Sequence, residues 1–328
     1  MDIVTGSTGC IGNVLVRELV KSGRTVKSLI RSSSNTLCLK DCITETIKGD
    51  ILDLESLIKA FRNADTVYHL ASEISIMPGF NKYLWDINVS GTKNVIKACF
   101  ECKVKKLVYT SSIHAIKEPH EGIIIDETMP FDPESPRGIY DKSKALASIE
   151  VLRAAQEGLH TVIVCPTAVI GPYDFRISYL GQLFIDYCNR KLNIIIDGAY
   201  DFVDVRDVAS GHILASKNGK NGNYYILSGH RLTLDNLMTI LEEITGIAQP
   251  KYKLPLWLAK ITAAIMPAYY KLSNTKPRFT PYSLNTIHSN SYISHDKAEK
   301  ELGYKPRPVE VSIKDTIEWF KINKLINK

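Results

Sequence analysis

Residues 5–12 read TGSTGCIG and stand between an apolar run, DIVT (2–5), and an amphipathic one, IGNVLVRELVKSG (11–23). Gly6, Gly9 and Gly12 recur at every third position, where a strand hands over to a helix. Such a turn lets the backbone approach a bound group closely. The helix that follows points free N–H groups and the positive end of its dipole at that group, a combination suited to a pyrophosphate. Thr8, Cys10 and Ile11 lie in the same turn and join the glycines as candidate contacts.

The pattern around this turn repeats. TVKSLI (25–30), ETIKGDI (45–51), TVYHLA (66–71), KLVYTS (106–111) and TVIVCP (161–166) read as strands. Amphipathic segments at 55–61, 82–102 and 137–157 read as helices. Strand followed by helix, many times over, predicts an α/β fold: a doubly wound parallel Rossmann sheet with helices on both faces. The nearly all-apolar strands 107–110 and 162–165 suit a sheet covered on both sides. After Pro166 the rhythm breaks into loops and short helices, and YYIL (224–227) is expected to return to the sheet. The expected division is an NADP-binding domain over 1–171, with 202–228 and 309–325 returning to it. A smaller, largely C-terminal substrate lobe would comprise 172–201 and 229–308.

The second strand indicates which dinucleotide. An acid about 20 residues beyond the glycines would receive the adenosine ribose of NAD. Arg31 stands there instead, followed by Ser32. A guanidinium grips a 2′-phosphate that a carboxylate would repel, so NADP is the expected cofactor, with NAD the lesser reading. Asp50 and Ile51 follow the third strand at the expected adenine position. Leu70, Ala71 and Ser72 follow the fourth, beside the ribose.

The chain has 328 residues, a formal charge of +6, 45% hydrophobic and 23% charged residues, ordinary for a soluble globular protein. Lys and Arg run along the whole length, which argues against a nucleic-acid partner. Seven cysteines, an odd number, and a first strand at the N-terminus without a signal peptide suggest a reducing cytoplasm. Cys99 and Cys102 form a C-x-x-C inside a helical pattern with no second pair, so they read as packing residues and no metal is expected. The apolar run LPLWLAKITAAIMPAYY (254–270) contains Lys260 and two prolines. It reads as a lobe helix rather than a spanning one, with loose membrane association as the lesser alternative.

These segments, taken in order, resemble an extended short-chain dehydrogenase/reductase over nearly the whole chain. The marks are TGSTGCIG, GDI (49–51), HLAS (69–72), NVSGTKNV (88–95), TSS (110–112), YDKSK (140–144), PTAVIGP (166–172), FVDVRDVA (202–209) and DKAEKELGYKPRP (296–308). Within that superfamily the chain is most similar to the dihydroflavonol reductase, cinnamoyl-CoA reductase and 3β-hydroxysteroid dehydrogenase group. The resemblance implies that Tyr140 is the proton donor or acceptor, that Lys144 lowers its pKa and holds the nicotinamide ribose, and that Ser112 orients the substrate carbonyl. It also implies that Pro166 to Val169 line the nicotinamide, and that helices 82–102 and 137–157 pair across a two-fold in a homodimer. The side-chain chemistry agrees: a free phenol titrates near ~10, and a cation one helical turn away favours its phenolate.

The expected reaction interconverts a ketone or aldehyde and an alcohol by direct hydride transfer. Ile113, His114 and Ala115 follow Ser112 where sugar-nucleotide dehydratases of the superfamily carry an Asp-Glu pair, which argues against dehydration. Tyr200-Asp201 stands where nucleotide-sugar epimerases carry an Arg, and an acid there would repel a diphosphate. Aromatic and aliphatic residues between 257 and 282 suggest a hydrophobic substrate of steroid, flavonoid or aldehyde type. Epimerisation of a nucleotide sugar is the enzymatic alternative, and a non-catalytic NADP sensor a distant third. His114 reads as structural, Arg206-Asp207 as an ion pair or helix start, and Asp126-Glu127 as surface loop.

Overall fold

The computed structural model describes residues 1–42, 44–120 and 122–326. Its first half alternates as the sequence pattern requires: β1 (Asp2–Thr5), α1 (Cys10–Lys21), β2 (Val26–Ile30), β3 (Glu45–Lys48), α2 (Leu54–Phe61) and β4 (Thr66–His69). There follow α3 (Lys82–Trp85), α4 (Gly91–Glu101), β5 (Lys106–Thr110), α5 (Ile139–Gln156) and β6 (Thr161–Pro166). The second half adds β7 (Ala168–Ile170), α6 (Tyr179–Cys188), β8 (Ile194–Ile195), β9 (Ala199–Asp204), α7 (Val205–Asn218) and β10 (Asn223–Leu227). It ends with β11 (His230–Thr233), α8 (Leu234–Thr245), β12 (Tyr252–Lys253), α9 (Leu256–Ser273), α10 (Pro281–Ile287), α11 (Asp296–Leu302) and α12 (Val309–Ile322).

Seven strands form one parallel sheet in the order β10-β6-β5-β4-β1-β2-β3. The order reverses at β1, and a doubly wound sheet opens its binding crevice at the carboxyl ends flanking such a reversal. Here those ends are Thr5 of β1 and His69 of β4, paired in register. TGSTGCIG and HLAS therefore meet. Gly6 sits at φ +69°, and a Cβ there would lie 2.5 Å from the Ala71 nitrogen. A Cβ on Gly12 would lie 2.1 Å from the Gly6 carbonyl oxygen. The spacing that decides the fold is thus a steric demand of the β1–α1 turn.

Two apolar layers cover the sheet. Leu107, Tyr109, Ile163 and Cys165 face one layer, while Val108, Val162 and Val164 face the other. A third cluster lies outside the sheet, around Phe184, Phe202, Leu237 and Ile313.

Two tail segments pack otherwise than their sequence assignment. The α11 segment lies with the sheet: Ala298, Leu302 and Tyr304 join the layer of α1 and α7. The α12 helix inserts Val309, Ile313, Ile317 and Phe320 into the third cluster.

Arg206 and Asp207 open α7, as one of the expected readings had it; Arg206 pairs with Asp204 and Asp315, and Asp207 with Arg307. Two polar positions differ from the sequence expectation. Glu127 is half-buried and accepts the Ile226 N–H at 2.7 Å, which ties a loop to the edge strand β10. Asp201 is buried, accepting from the Thr167 hydroxyl at 2.7 Å and the Gly229 N–H at 2.8 Å. Burial raises its pKa to about 6. Its carboxylate is engaged inside the fold, so the expected repulsion of a diphosphate does not carry.

His212 of α7 reaches under the end of β5. Its Nδ1 lies 2.7 Å from the Val208 carbonyl and its Nε2 2.7 Å from the Thr110 hydroxyl. A carbonyl only accepts, so Nδ1 bears the proton and the ring is neutral. Burial lowers its pKa from an ordinary 6.5 to about 4. Between these values the unfolded chain binds more protons at this site, so the contribution is full above the upper value and lost as pH falls through the window. His212→Gln is therefore expected to be less stable than the parent by about 1 kcal/mol at pH 8. By pH 5 the difference should move by on the order of 2 kcal/mol, past zero, leaving the variant the more stable of the two. Urea midpoints at both pH values measure it; a constant gap would show that His212 does not titrate on unfolding.

Candidate functional site

At the β1–α1 turn the candidate site begins with main chain. Gly9 precedes α1 with no side-chain cap on the helix, so first-turn N–H groups are left for an external acceptor. That arrangement fits a pyrophosphate. The Thr8 hydroxyl accepts from Arg176 Nη2 at 2.7 Å. Cys10 is held protonated by burial and by the nearby Asp174 and Asp204 carboxylates.

Arg31 follows the last residue of β2 and extends its guanidinium to the Tyr83 hydroxyl at 2.9 Å. Asp50 and Glu73 add negative field that keeps it charged. Ser34 Oγ accepts the Arg31 N–H at 3.1 Å, which folds the RSSSN loop back on itself. No acid lies among residues 31–35, and the cation has solvent beside it. A guanidinium so placed can receive a phosphate or a hydroxyl of a bound nucleotide. Asp50 accepts the Leu52 N–H at 2.9 Å and Ile51 is buried. Leu70 and Ala71 line the crevice opposite Gly6, and Ser72 is exposed at its edge.

On the other side of the crevice, β5 ends at Thr110 and delivers Ser111 and Ser112. The Ser111 hydroxyl is hydrogen-bonded to Ser148, so of the two serines it is the one tied into the helix. Ser112 precedes a short 3₁₀ turn, and its Oγ accepts the His114 N–H at 3.2 Å. The Ser112 side chain lies near enough to the Tyr140 hydroxyl to favour its ionised form. Lys144, one turn along α5, donates to the Thr110 carbonyl at 2.5 Å, and its ammonium lies 4.7 Å from the Tyr109 ring centroid. Ser112, Tyr140 and Lys144 are thus brought together, all buried. Pro166 ends the adjacent strand β6, and Val169 in β7 is partly buried against Cys10 and Asp174.

The charges differ from the sequence expectation. Burial pushes Tyr140 up to about 12; the nearby Ser112 side chain pulls it down and the neighbouring Asp141 adds to the rise. Burial pulls Lys144 down to about 7. In the protein alone, desolvation outweighs any pull of the ammonium on the phenol. A phenol that holds its proton is poised as an acid.

Sequence reading gave no role to three residues around this cluster. His69, fully buried, bonds the Thr5 hydroxyl at 2.7 Å and the Thr92 hydroxyl at 3.0 Å. Asn88 donates to the Glu73 carbonyl at 3.0 Å and to Ser143 Oγ at 2.9 Å, and Ser143 donates to the Tyr140 carbonyl. It thereby ties the loop after β4 to α5. Asn88 projects from a π-helical turn, Asp86–Ser90, between α3 and α4, which no periodicity signals. Asp141 is fully buried, paired with Arg137 at 2.6 Å, and accepts from the Tyr282 hydroxyl of α10 at 2.7 Å. Tyr282, 6.2 Å from the His114 ring, roofs the cluster from the second half of the chain.

Known proteins share the sequence pattern and the fold. A sequence profile of the NAD dependent epimerase/dehydratase family matches residues 3–227. Sterol demethylase protein B of Methylococcus capsulatus is 31% identical, over 97% of this chain and 98% of its own length. The 3beta-hydroxysteroid-dehydrogenase/decarboxylase isoform 1 of Arabidopsis thaliana is 29% identical, over 86% of this chain and 68% of its own. The crystal structure of gox2253 superposes with a TM-score of 0.88 at 31% identity, covering 100% of this chain and 99% of that one. A sheet reversing at a glycine-rich turn, with matches along nearly the whole length, identifies the chain as a member of the NAD-dependent epimerase/dehydratase family, an extended short-chain dehydrogenase/reductase that acts as an NAD(P)-dependent oxidoreductase.

Proposed function

We propose that the protein reduces a ketone or aldehyde on a hydrophobic, steroid- or flavonoid-like substrate, and oxidises the alcohol in reverse, with NADP as its cofactor. The observation that carries this reading is the buried cluster of Ser112, Tyr140 and Lys144, with Lys144 bonded to the Thr110 carbonyl at the end of β5, beside the crevice at the sheet reversal. Arg31 would hold the 2′-phosphate, the uncapped start of α1 the pyrophosphate, and Lys144 the nicotinamide ribose. When bound, the nicotinamide supplies or accepts the hydride.

The chain's own residues do the rest. Ser112 Oγ and Tyr140 Oη hold the carbonyl oxygen and stabilise the negative charge that grows there. Tyr140 gives its phenolic proton to that oxygen as hydride reaches the carbon; in the oxidative direction it takes the proton back. Lys144 favours the phenolate left behind. Tyr282 and the apolar lobe keep water from the reacting carbon. The named sterol and steroid relatives support an apolar substrate.

NADPH consumption with a panel of steroid ketones, flavanonols and aromatic aldehydes tests the reading. Turnover of at least one class is expected. Epimerase activity on UDP- or GDP-sugars without net NADPH loss would replace it, and this arm matters because Asp201 does not guard the site.

A further inference from the structure

The α9 helix presents apolar side chains on two faces. Ala259, Ala263 and Tyr270 are buried against the fold. On the outside Trp257 is 65% exposed, Ile261 50%, Ile265 63%, Tyr269 54% and Leu272 89%. Their spacing of four, four, four and three residues puts them on one stripe. The stripe runs roughly 22 Å along the helix. Single exposed apolar residues are ordinary, but a continuous ridge of five marks an interaction surface.

Charge identifies what the ridge meets. From Ile244 to His295 there is no Asp or Glu, but there are six cations: Lys251, Lys253, Lys260, Lys271, Lys276 and Arg278. Removing these six from the chain's 41 Lys and Arg leaves 35, equal to its 35 Asp and Glu, so the whole excess of +6 lies in this segment. Lys253 and Arg278 are bound to acids, and Lys276 donates to the Ile177 carbonyl. Among the described residues Lys251, Lys260 and Lys271 make no ion pair. By helical geometry Lys260 and Lys271 lie on the shoulder of the ridge. A second copy of the chain would oppose cation to cation there. An anionic bilayer surface answers both the apolar ridge and the lysines beside it, and aromatic residues near both ends suit the headgroup level.

We propose that α9 docks the protein on anionic phospholipid bilayers, lying in the plane of the surface. Trp257, Ile261, Ile265, Tyr269 and Leu272 enter the acyl boundary, with Lys251, Lys260 and Lys271 at the phosphates. Among the described residues no helix is long and apolar enough to cross a membrane, so the contact is peripheral. The segment after α9 leads to the crevice loops, where Lys276 meets Ile177 and Thr280 donates to the Ile76 carbonyl at 2.7 Å. The docked face therefore adjoins the mouth through which an apolar substrate would enter. The docking stands without the reductase reading.

Flotation of the full chain with NADPH tests it, using vesicles of phosphatidylcholine alone or with about one-third phosphatidylglycerol. Flotation with the anionic vesicles, at least tenfold stronger than with neutral ones, is expected. Lys260→Gln with Lys271→Gln should weaken it by about tenfold or more. Ile261→Asp with Ile265→Asp should abolish it while leaving NADPH binding and thermal midpoint unchanged. Should that pair fail to fold, the parent's loss of flotation between about 0.1 and 1 M salt reads the same electrostatics. Absence of flotation, equal flotation on both vesicles, or flotation unaffected by the lysine pair would overturn the proposal. So would a dimer in sedimentation equilibrium that the aspartates dissociate.

Discussion

Tyr140→Phe is expected to lower kcat for carbonyl reduction by two to four orders of magnitude, the range that a positioned acid contributes. The substitution removes one oxygen from a fully enclosed side chain and keeps the ring. Among the described residues no ion pair involves the 140 side chain, so the variant strands no charge. NADPH affinity should change by less than about threefold, because the bonds of Lys144 to Thr110 and of Ser143 to the 140 carbonyl are untouched. Steady-state turnover together with fluorescence titration of NADPH separates the two effects. Retained turnover would remove Tyr140 from the chemistry. Loss of NADPH binding would mean that the ring's hydroxyl serves the cofactor and not the substrate.

The second large effect lies on cofactor choice. Arg31→Glu is expected to raise the Kd for NADPH by roughly 100-fold, since it removes a charge-assisted contact and adds repulsion. The Kd for NADH should stay within about threefold, because the adenosine hydroxyls do not need the cation. Arg31 bonds the Tyr83 hydroxyl, so Tyr83→Phe serves as control and should move NADPH affinity by less than about fivefold. Equal losses for both dinucleotides would show that Arg31 supports the loop instead of reading the 2′-phosphate.

The glycine turn and the parallel strands could be read from the sequence because their causes are local. Gly6 and Gly12 are fixed by clashes with backbone a few residues or one strand away, and any chain making this turn must meet them. The grouping of Ser112, Tyr140 and Lys144 followed from resemblance; the structure adds that all three are buried and that Lys144 is bonded to the Thr110 carbonyl. What could not be read is set by partners distant in sequence. Asp201 looks like a surface acid until Thr167 and Gly229 close on it. Asn88 gains its importance from a π turn and from Glu73 and Ser143. Asp126 and Glu127 are alike in sequence, but only Glu127 finds a strand edge to bind. In the protein alone the Tyr140 phenol shifts the other way for the same reason: helical spacing places Lys144 nearby, but burial outweighs it.

The way the tail is shared has a consequence for biosynthesis. The edge strand β10 joins the sheet only after β7, α6 and β9 have been made, and the last two long-range pieces, α11 and α12, close different cores. A chain emerging from the ribosome therefore cannot finish its amino-terminal half and set it aside. Until the final helix is released, Phe184, Phe202 and Leu237 lack the cover of Ile313 and Phe320. Premature termination shortly before residue 309 should leave a sticky, protease-sensitive product in place of a smaller working unit.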